Sequence, residues 1–330
     1  MILNPEATLN PHVFEKEVER IPTRNGYGDA LVALGEKNSN IVVLTADLAE
    51  STRVLGFQKK FPTRFIECGV AEQNMMGMAA GLALSGKTPF ASSYATFVPG
   101  RAWDQIRVSI CYTNANVKFT GAHAGISVGP DGATHQALED IAMLRALPNL
   151  AILVPCDYEE TYKAVVAASQ YVGPVYIRLA REKTPSITTK TSPFTIGQSS
   201  VLTQGKDVTI IACGPLVYEA LLAAQELGHK GIEAEVINAS SIKPFDEKTL
   251  IASVKKTGCC VTLEEHQITG GLFGVVSETL ARHLPTPIEP VGMPNCFGES
   301  GEPAELLEKY GMTSKNVIKA AELAIKRKQT

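Results

Sequence analysis

Residues 67–86 read ECGVAEQNMMGMAAGLALSG. From Met75 to Leu84 no side chain is polar, yet Glu72 stands three residues upstream. Met, Ala and Leu favour helix. A helix apolar on every side is expected to lie inside the fold, so a carboxyl at its entrance would be drawn out of water. An acid in the first turn is also what the helix dipole favours, by roughly 0.3–1 kcal/mol. The apolar run is too short to cross a bilayer, which needs about 20 residues.

Working outward, apolar runs of strand length alternate with helical patterns. Strands are predicted at IVVLT (41–45), RFIEC (64–68), TPFAS (88–92), VKFTG (117–121), LAILVP (150–155) and PVYIRL (174–179). Helices are predicted near 25–37, 71–85, 101–113, 137–146 and 157–170. The alternation predicts an α/β fold with a parallel or mostly parallel sheet covered by helices on both faces. TPSITTKTSPFTIGQSS (184–200) has no period and is rich in Thr, Ser and Pro, which predicts a linker. Beyond it the alternation restarts, through DVTIIA, AEVINA, GCCVTLE and PIEPVG, as a second α/β unit. The expected organisation is an arm over 1–20 that packs on a partner, a first domain over 21–190 and a second over 191–330.

Composition narrows the function. The chain has 330 residues, 45% hydrophobic and 20% charged, with a formal net charge of −3. That is the profile of a folded protein, and the absence of a basic excess argues against nucleic acid as a partner. The opening MILNPEATLNPH lacks the pattern of a signal peptide; a soluble, cytoplasmic protein without membrane contact is expected. Seven scattered cysteines form no CxxC pair, so neither metal binding nor disulfides are expected of them. Cys68, close to Glu72, is a candidate to line the same site.

Two further stretches carry chemistry. HAGISVGPDGATHQ (123–136) is rich in glycine and places His123, Asp131, His135 and Gln136 on a loop ahead of a helix. Loops after the strands of parallel sheets are where ligands bind. SSYATFVPGRAWDQ (92–105) follows a strand and carries Tyr94 and Phe97, which are either core residues or a stacking surface for an aromatic ligand. GGLFG (270–274) lacks GxGxxG spacing and is not expected to bind a nucleotide.

Together these motifs resemble the C-terminal part of transketolase and of its thiamine-diphosphate relatives, the deoxyxylulose-phosphate synthases and the β subunits of 2-oxo-acid dehydrogenases. The resemblance runs over about residues 20 to 325. GVAEQN (69–74) corresponds to the segment whose glutamate contacts N1′ of the cofactor's aminopyrimidine, and GPDGATHQ (129–136) with LRALPNLAILVPCD (144–157) to the transketolase substrate loop and the strand beyond it. The resemblance implies a pyrimidine-binding domain followed by a transketolase C-terminal domain. It implies catalytic roles for Glu72, His123 and His135. Cofactor contacts are implied for Asp47, Leu48, Glu72, Tyr94 and Phe97, and sugar-phosphate contacts for Arg24, Ser51, His123, Asp131, His135 and Arg181. A carboxyl donating to N1′ favours the imino tautomer of the aminopyrimidine, which would account for Glu72.

There are departures. Gln73 stands where transketolases usually carry His, as in the synthases; a family aromatic is replaced near Gly100, with a synthase-like RAWDQ following; and Ala124 follows His123. No GDG motif, whose Asp would bind Mg²⁺, occurs anywhere in the chain. Because Met1 falls about where the second half of such an enzyme would begin, the expectation is a split transketolase. Thiamine diphosphate would be shared with an N-terminal partner subunit, which would hold Mg²⁺ or another divalent cation; no metal ligand is assigned here. Two copies of each subunit are expected. A synthase-like or 2-oxo-acid dehydrogenase subunit and a non-catalytic scaffold partner remain the alternatives.

Overall fold

A computed structural model describes residues 1–328. The first unit is built on Ile41–Thr45 (β1), Phe65–Glu67 (β2), Thr88–Tyr94 (β3), Lys118–Ala122 (β4), Ala151–Leu153 (β5) and Val175–Arg178 (β6). The second is built on Val208–Ala212 (β7), Ala234–Asn238 (β8), Ser241–Lys243 (β9), Cys260–Gln267 (β10) and Ile288–Met293 (β11). The larger sheet has seven strands in the order β9-β5-β6-β4-β3-β1-β2, all parallel except β9. The smaller has five, with Ser200–Val201 antiparallel at one edge, then β8-β7-β10-β11 in parallel. All residues of β1, β4, β5, β6, β7 and β8 are buried. Such double-sided burial is why β1, β5 and β7 read as near-continuous apolar runs rather than alternations. This α/β architecture of mostly parallel sheets flanked by helices is the one the alternation predicted.

Two local expectations are revised, and one strand crosses between the units. Residues 184–200 are no loose linker. Lys183–Pro185 pairs antiparallel with Arg20–Pro22, and Asp157 accepts the N–H groups of Ile187 and Thr188 at 2.8 and 2.5 Å and the Thr188 hydroxyl at 2.8 Å. One buried carboxylate thus orders a segment without period. The opening segment, expected to pack on a partner, runs across this chain's own second unit. Ile2–Leu3 pairs with Thr203–Gln204, and Ala7 and Val13 join the core beneath. Finally, β9 belongs in sequence to the second unit but hydrogen-bonds to β5 of the first. The two units share core clusters that mix residues of both, such as Ile152 with Ile237 and Ile126 with Val261.

The apolar helix led by Glu72 spans Glu72–Leu84 (α2), after Thr23–Lys37 (α1). It is not enclosed. Met75, Met76, Ala79 and Ala80 face the core, whereas Gly77, Met78, Gly81 and Leu84 face outward, Leu84 being 69% exposed. A Cβ placed at Gly77 or Gly81 would meet nothing within 4 Å. The helix forms where its composition predicts it, but one side of it, at Gly77, Met78, Gly81 and Leu84, is exposed on this chain.

Candidate functional site

The sheet brings the predicted residues to one edge. Parallel strands end together, and the C-terminal ends of β1, β3 and β4 are neighbours. Asp47 and Leu48 follow β1, Tyr94 ends β3, and His123 follows β4. Asp47 and His123 both hold the left-handed backbone conformation, at φ 58° and 56°. Non-glycine residues in that region carry strain that surrounding structure must hold, and such residues cluster at functional sites. For Asp47 the holding contact is Glu67, whose carboxylate accepts the Asp47 and Gly69 N–H groups at 2.7 and 2.9 Å.

Glu72 is 3% exposed. One nitrogen of Arg101 donates to both its oxygens, at 2.9 and 3.1 Å, and Ser93 Oγ lies 3.5 Å away. The Arg101 guanidinium also lies 3.9 Å from the Phe97 ring centroid. Glu72 and Arg101 flank an open hollow of about 640 Å³ lined by Val70, Ala71, Glu72, Gln73, Asn74 and Arg101. From Phe97 the aromatic surface continues. The ring of Tyr94 is 5.9 Å away, His135 meets Phe97 edge-on at 5.2 Å, and His123 stacks on Tyr94 at 4.3 Å. Thr96 Oγ1 donates to the His135 carbonyl at 3.0 Å, which ties the 123–136 loop to the end of β3.

His123 opens the polar half of the site. Arg24 lies 3.0 Å from its Nε2 and, having only donors, makes that nitrogen the acceptor and places the ring proton on Nδ1. Among the described residues, Nδ1 is buried without a partner. Burial, reinforced by the charges of Arg24 and Arg181, pushes the His123 pKa down to about 3. The imidazole is therefore neutral at ordinary pH. Arg24 also donates to the Ser51 carbonyl at 2.9 Å, and its own Nε is buried without a partner among the described residues. Its pKa is lowered by burial and then by the neighbouring charges of Arg53 and Arg181. An anion would relieve the like charges that Arg53 and Arg181 impose on Arg24. Arg181 donates to the Val128 carbonyl at 2.6 Å and pairs with Asp131 at 3.5 Å.

Every predicted site residue is thus placed on this edge or the loop above it. Ser51 is present through its carbonyl. Cys68 instead lies toward the outer face of α2, its Sγ 4.0 Å from Met78 Sδ, and burial with the nearby Glu67 raises its pKa to about 11. Arg53 was missed; its spacing of two from Ser51 was the only available signal. Arg101 was read only as a departure from a pattern. GGLFG resolves plainly: the carboxylate of Glu264 accepts the N–H groups of Leu272 and Phe273 at 2.6 and 2.8 Å, filling that helix start from within the chain.

The transketolase pyrimidine-binding domain family matches residues 19–186, and the transketolase C-terminal domain family matches residues 197–317. A Methanocaldococcus jannaschii protein named for the C-terminal section of transketolase is 46% identical over 299 residues, covering 90% of this chain and 94% of its own. A Clostridium sp. protein named as part of a 6-deoxy-6-sulfo-D-fructose transketolase is 41% identical, over 96% of this chain and 98% of its own. A Phocaeicola vulgatus protein named as part of an apulose-4-phosphate transketolase is 38% identical, over 91% and 96%. Among solved structures, a split gene transketolase described as an inactive beta4 tetramer superposes with a TM-score of 0.88 at 48% identity, covering 93% of this chain and 99% of that one. The transketolase of Campylobacter jejuni shares the fold, at a TM-score of 0.78 and 22% identity, over 93% of this chain and 49% of its own. This chain belongs to the transketolase family, and it aligns with that family's pyrimidine-binding and C-terminal domains.

Proposed function

We propose that this chain is the C-terminal subunit of a split transketolase. With an N-terminal subunit it transfers a two-carbon ketol unit from a ketose phosphate to an aldose phosphate. The observation that carries the reading is one continuous line of contacts, from Glu72 through Arg101 to Phe97, then Tyr94, His123 and Arg24. It joins a buried acid and an aromatic surface to a cationic cluster.

The family implies thiamine diphosphate, and the residues fit its pyrimidine end. Arg101 serves as a stand-in: a flat group with N–H donors, stacked on Phe97 and bonded to Glu72. An aminopyrimidine offers the same flat face and a ring nitrogen for the same carboxyl. When bound, the cofactor supplies the nucleophilic carbon that accepts the ketol unit. Glu72 would hold a proton at N1′, Tyr94 and Phe97 would stack on the ring, and Asp47 and Leu48 would border it at the end of β1. His123, with its Nδ1–H unpartnered among the described residues, and His135 would bond the donor's hydroxyl groups. Asp131 would recognise a further hydroxyl. Arg24, Arg53, Arg181 and Ser51 would hold the phosphate, for which planar guanidiniums are suited. Relatives named for a sulfo-sugar and a sugar phosphate support an anionic donor.

The chain carries no GDG motif, so the diphosphate and its divalent cation are assigned to the partner subunit. The bare apolar side of α2 supports assembly, because a helix face of Gly77, Met78, Gly81 and Leu84 gains by being covered. An assembly of two copies of each subunit, in the cytoplasm, completes the reading.

The test is reconstitution with a candidate N-terminal subunit, thiamine diphosphate and Mg²⁺. Xylulose 5-phosphate and ribose 5-phosphate should yield a seven-carbon ketose phosphate and a three-carbon aldose phosphate. Release of CO₂ from a 2-oxo acid instead would assign a synthase-like or dehydrogenase chemistry. No turnover with any donor would leave the scaffold role.

A further inference from the structure

The loop bearing Asp131 is held from behind by the second unit. Its first turn spans Ile126–Asp131. The N–H of Ser127 donates to Oε1 of Glu265, on β10, at 2.6 Å across 138 residues of sequence. Glu265 is 4% exposed. A Cβ at Gly125, whose φ is +86°, would come within 2.3 Å of the same oxygen, so glycine is what lets the carboxylate reach the backbone. Arg178 fixes Glu265 in turn: its Nη2 donates to the carbonyls of Glu265 and Ala137, both at 3.0 Å, while its Nε pairs with Asp140 at 2.9 Å. A second clasp lies beside the first. Gln136 Nε2 donates to the Glu299 carbonyl at 2.8 Å, and Pro303 backs Gly129. On its other side the same turn presents the Val128 carbonyl and Asp131 to Arg181.

We propose that Glu265 is a positioning residue for the sugar-binding loop, and that the second unit thereby sets donor affinity rather than only supporting assembly. This rests on the transketolase reading for its kinetic part. The physical argument is that a buried bond to one N–H fixes a turn of only a few residues, because breaking it leaves that donor unsatisfied away from water. The atoms it fixes, at Val128 and Asp131, are those that orient Arg181. The proposed cofactor contacts are Glu72 at the start of α2, Asp47 and Leu48 after β1, and Tyr94 and Phe97 at and just beyond the end of β3, and the Glu265 carboxylate bonds to none of them, so the effect should separate donor from cofactor.

Glu265→Ala and Glu265→Gln separate position from folding. In the isolated chain, hydrogen exchange of a peptide covering residues 125–136 should accelerate about tenfold in E265A, within the range expected when a buried donor loses its partner. The Glu265→Gln chain keeps an acceptor oxygen and should fall between it and the parent. In the reconstituted enzyme, E265A should raise KM for xylulose 5-phosphate about tenfold, with kcat and the affinity for thiamine diphosphate within about threefold; E265Q should largely rescue KM. Unchanged exchange in folded E265A, or unchanged KM with only a lowered melting temperature, overturns the proposal. If E265A does not fold, E265Q decides by the same two readouts, and parental values in both overturn it. An inactive parental complex would refute the transketolase reading instead, and exchange in the isolated chain would still decide whether Glu265 holds the loop.

Discussion

One nitrogen of Arg101 bridges both oxygens of Glu72, at 2.9 and 3.1 Å, while the guanidinium lies 3.9 Å from the centre of the Phe97 ring. The acid and the ring are thereby both occupied by a side chain that is itself half exposed. A ligand using the same acid and ring must displace it. Arg101→Ala should therefore tighten thiamine diphosphate binding to the assembled enzyme several-fold by calorimetry, while lowering the melting temperature of the isolated chain. Weaker binding would show that Arg101 grips the cofactor rather than occupying its place.

Glu72→Gln keeps the shape of the side chain but cannot hold a proton for N1′. The turnover of the reconstituted enzyme should fall by about 10²–10⁴, the range of general acid–base contributions. Assembly, read by sedimentation, should be unchanged. A retained rate would remove the acid role from Glu72.

His123 titrates far below the usual histidine range because burial and the charges of Arg24 and Arg181 disfavour the imidazolium. Its pKa falls from 6.5 to about 3 on folding. Between those values the unfolded chain binds a proton that the folded chain does not. This contribution to stability is thus complete above pH 6.5 and is lost on acidification, at up to about 1.4 kcal/mol per pH unit. Nitrogen NMR should find the ring neutral, with its proton on Nδ1, from about pH 8 to about pH 5. His123→Asn should flatten the acid limb of the stability profile. A ring that titrates near 6.5, the ordinary histidine value, would contradict the contact geometry.

Arg24, on which Arg53 and Arg181 act as like charges, is proposed with them to hold the sugar phosphate. Arg24→Ala and Arg53→Ala should each raise KM for sugar phosphates about tenfold or more and leave cofactor affinity unchanged, since each removes a charged donor. Inorganic phosphate should compete with the donor in the parental enzyme and lose potency in both variants. Equal inhibition in parent and variants would place the phosphate elsewhere.

The outward side of α2 offers a test of assembly without damage to the chain. Added side chains at Gly77 and Gly81 meet open space, and residues other than glycine and proline favour helix more than glycine does. Gly77→Glu and Gly81→Glu should leave the melting temperature of the isolated chain unchanged or higher. They should shift sedimentation of the isolated or assembled protein toward smaller species. An unchanged distribution would move the subunit contact off this face.

What the sequence determined alone was local. Strand-length apolar runs specify strands buried on both faces, and their alternation with helices specifies parallel sheets; parallel strands then end at one edge, which gathers Asp47, Tyr94 and His123. Tyr94 and His123 were legible beside their strands, whereas Asp47 was singled out only by the resemblance to transketolase. Tertiary structure decided the rest. Arg101 meets Glu72 across 29 residues, Glu265 meets Ser127 across 138, and β9 leaves its own unit to join the other sheet. A carboxylate losing water takes whichever donor the packing presents, and no periodicity encodes that choice. Nor could composition show that α2 would be exposed on one side, because an apolar face intended for another subunit and one intended for the chain's own core are written in the same residues.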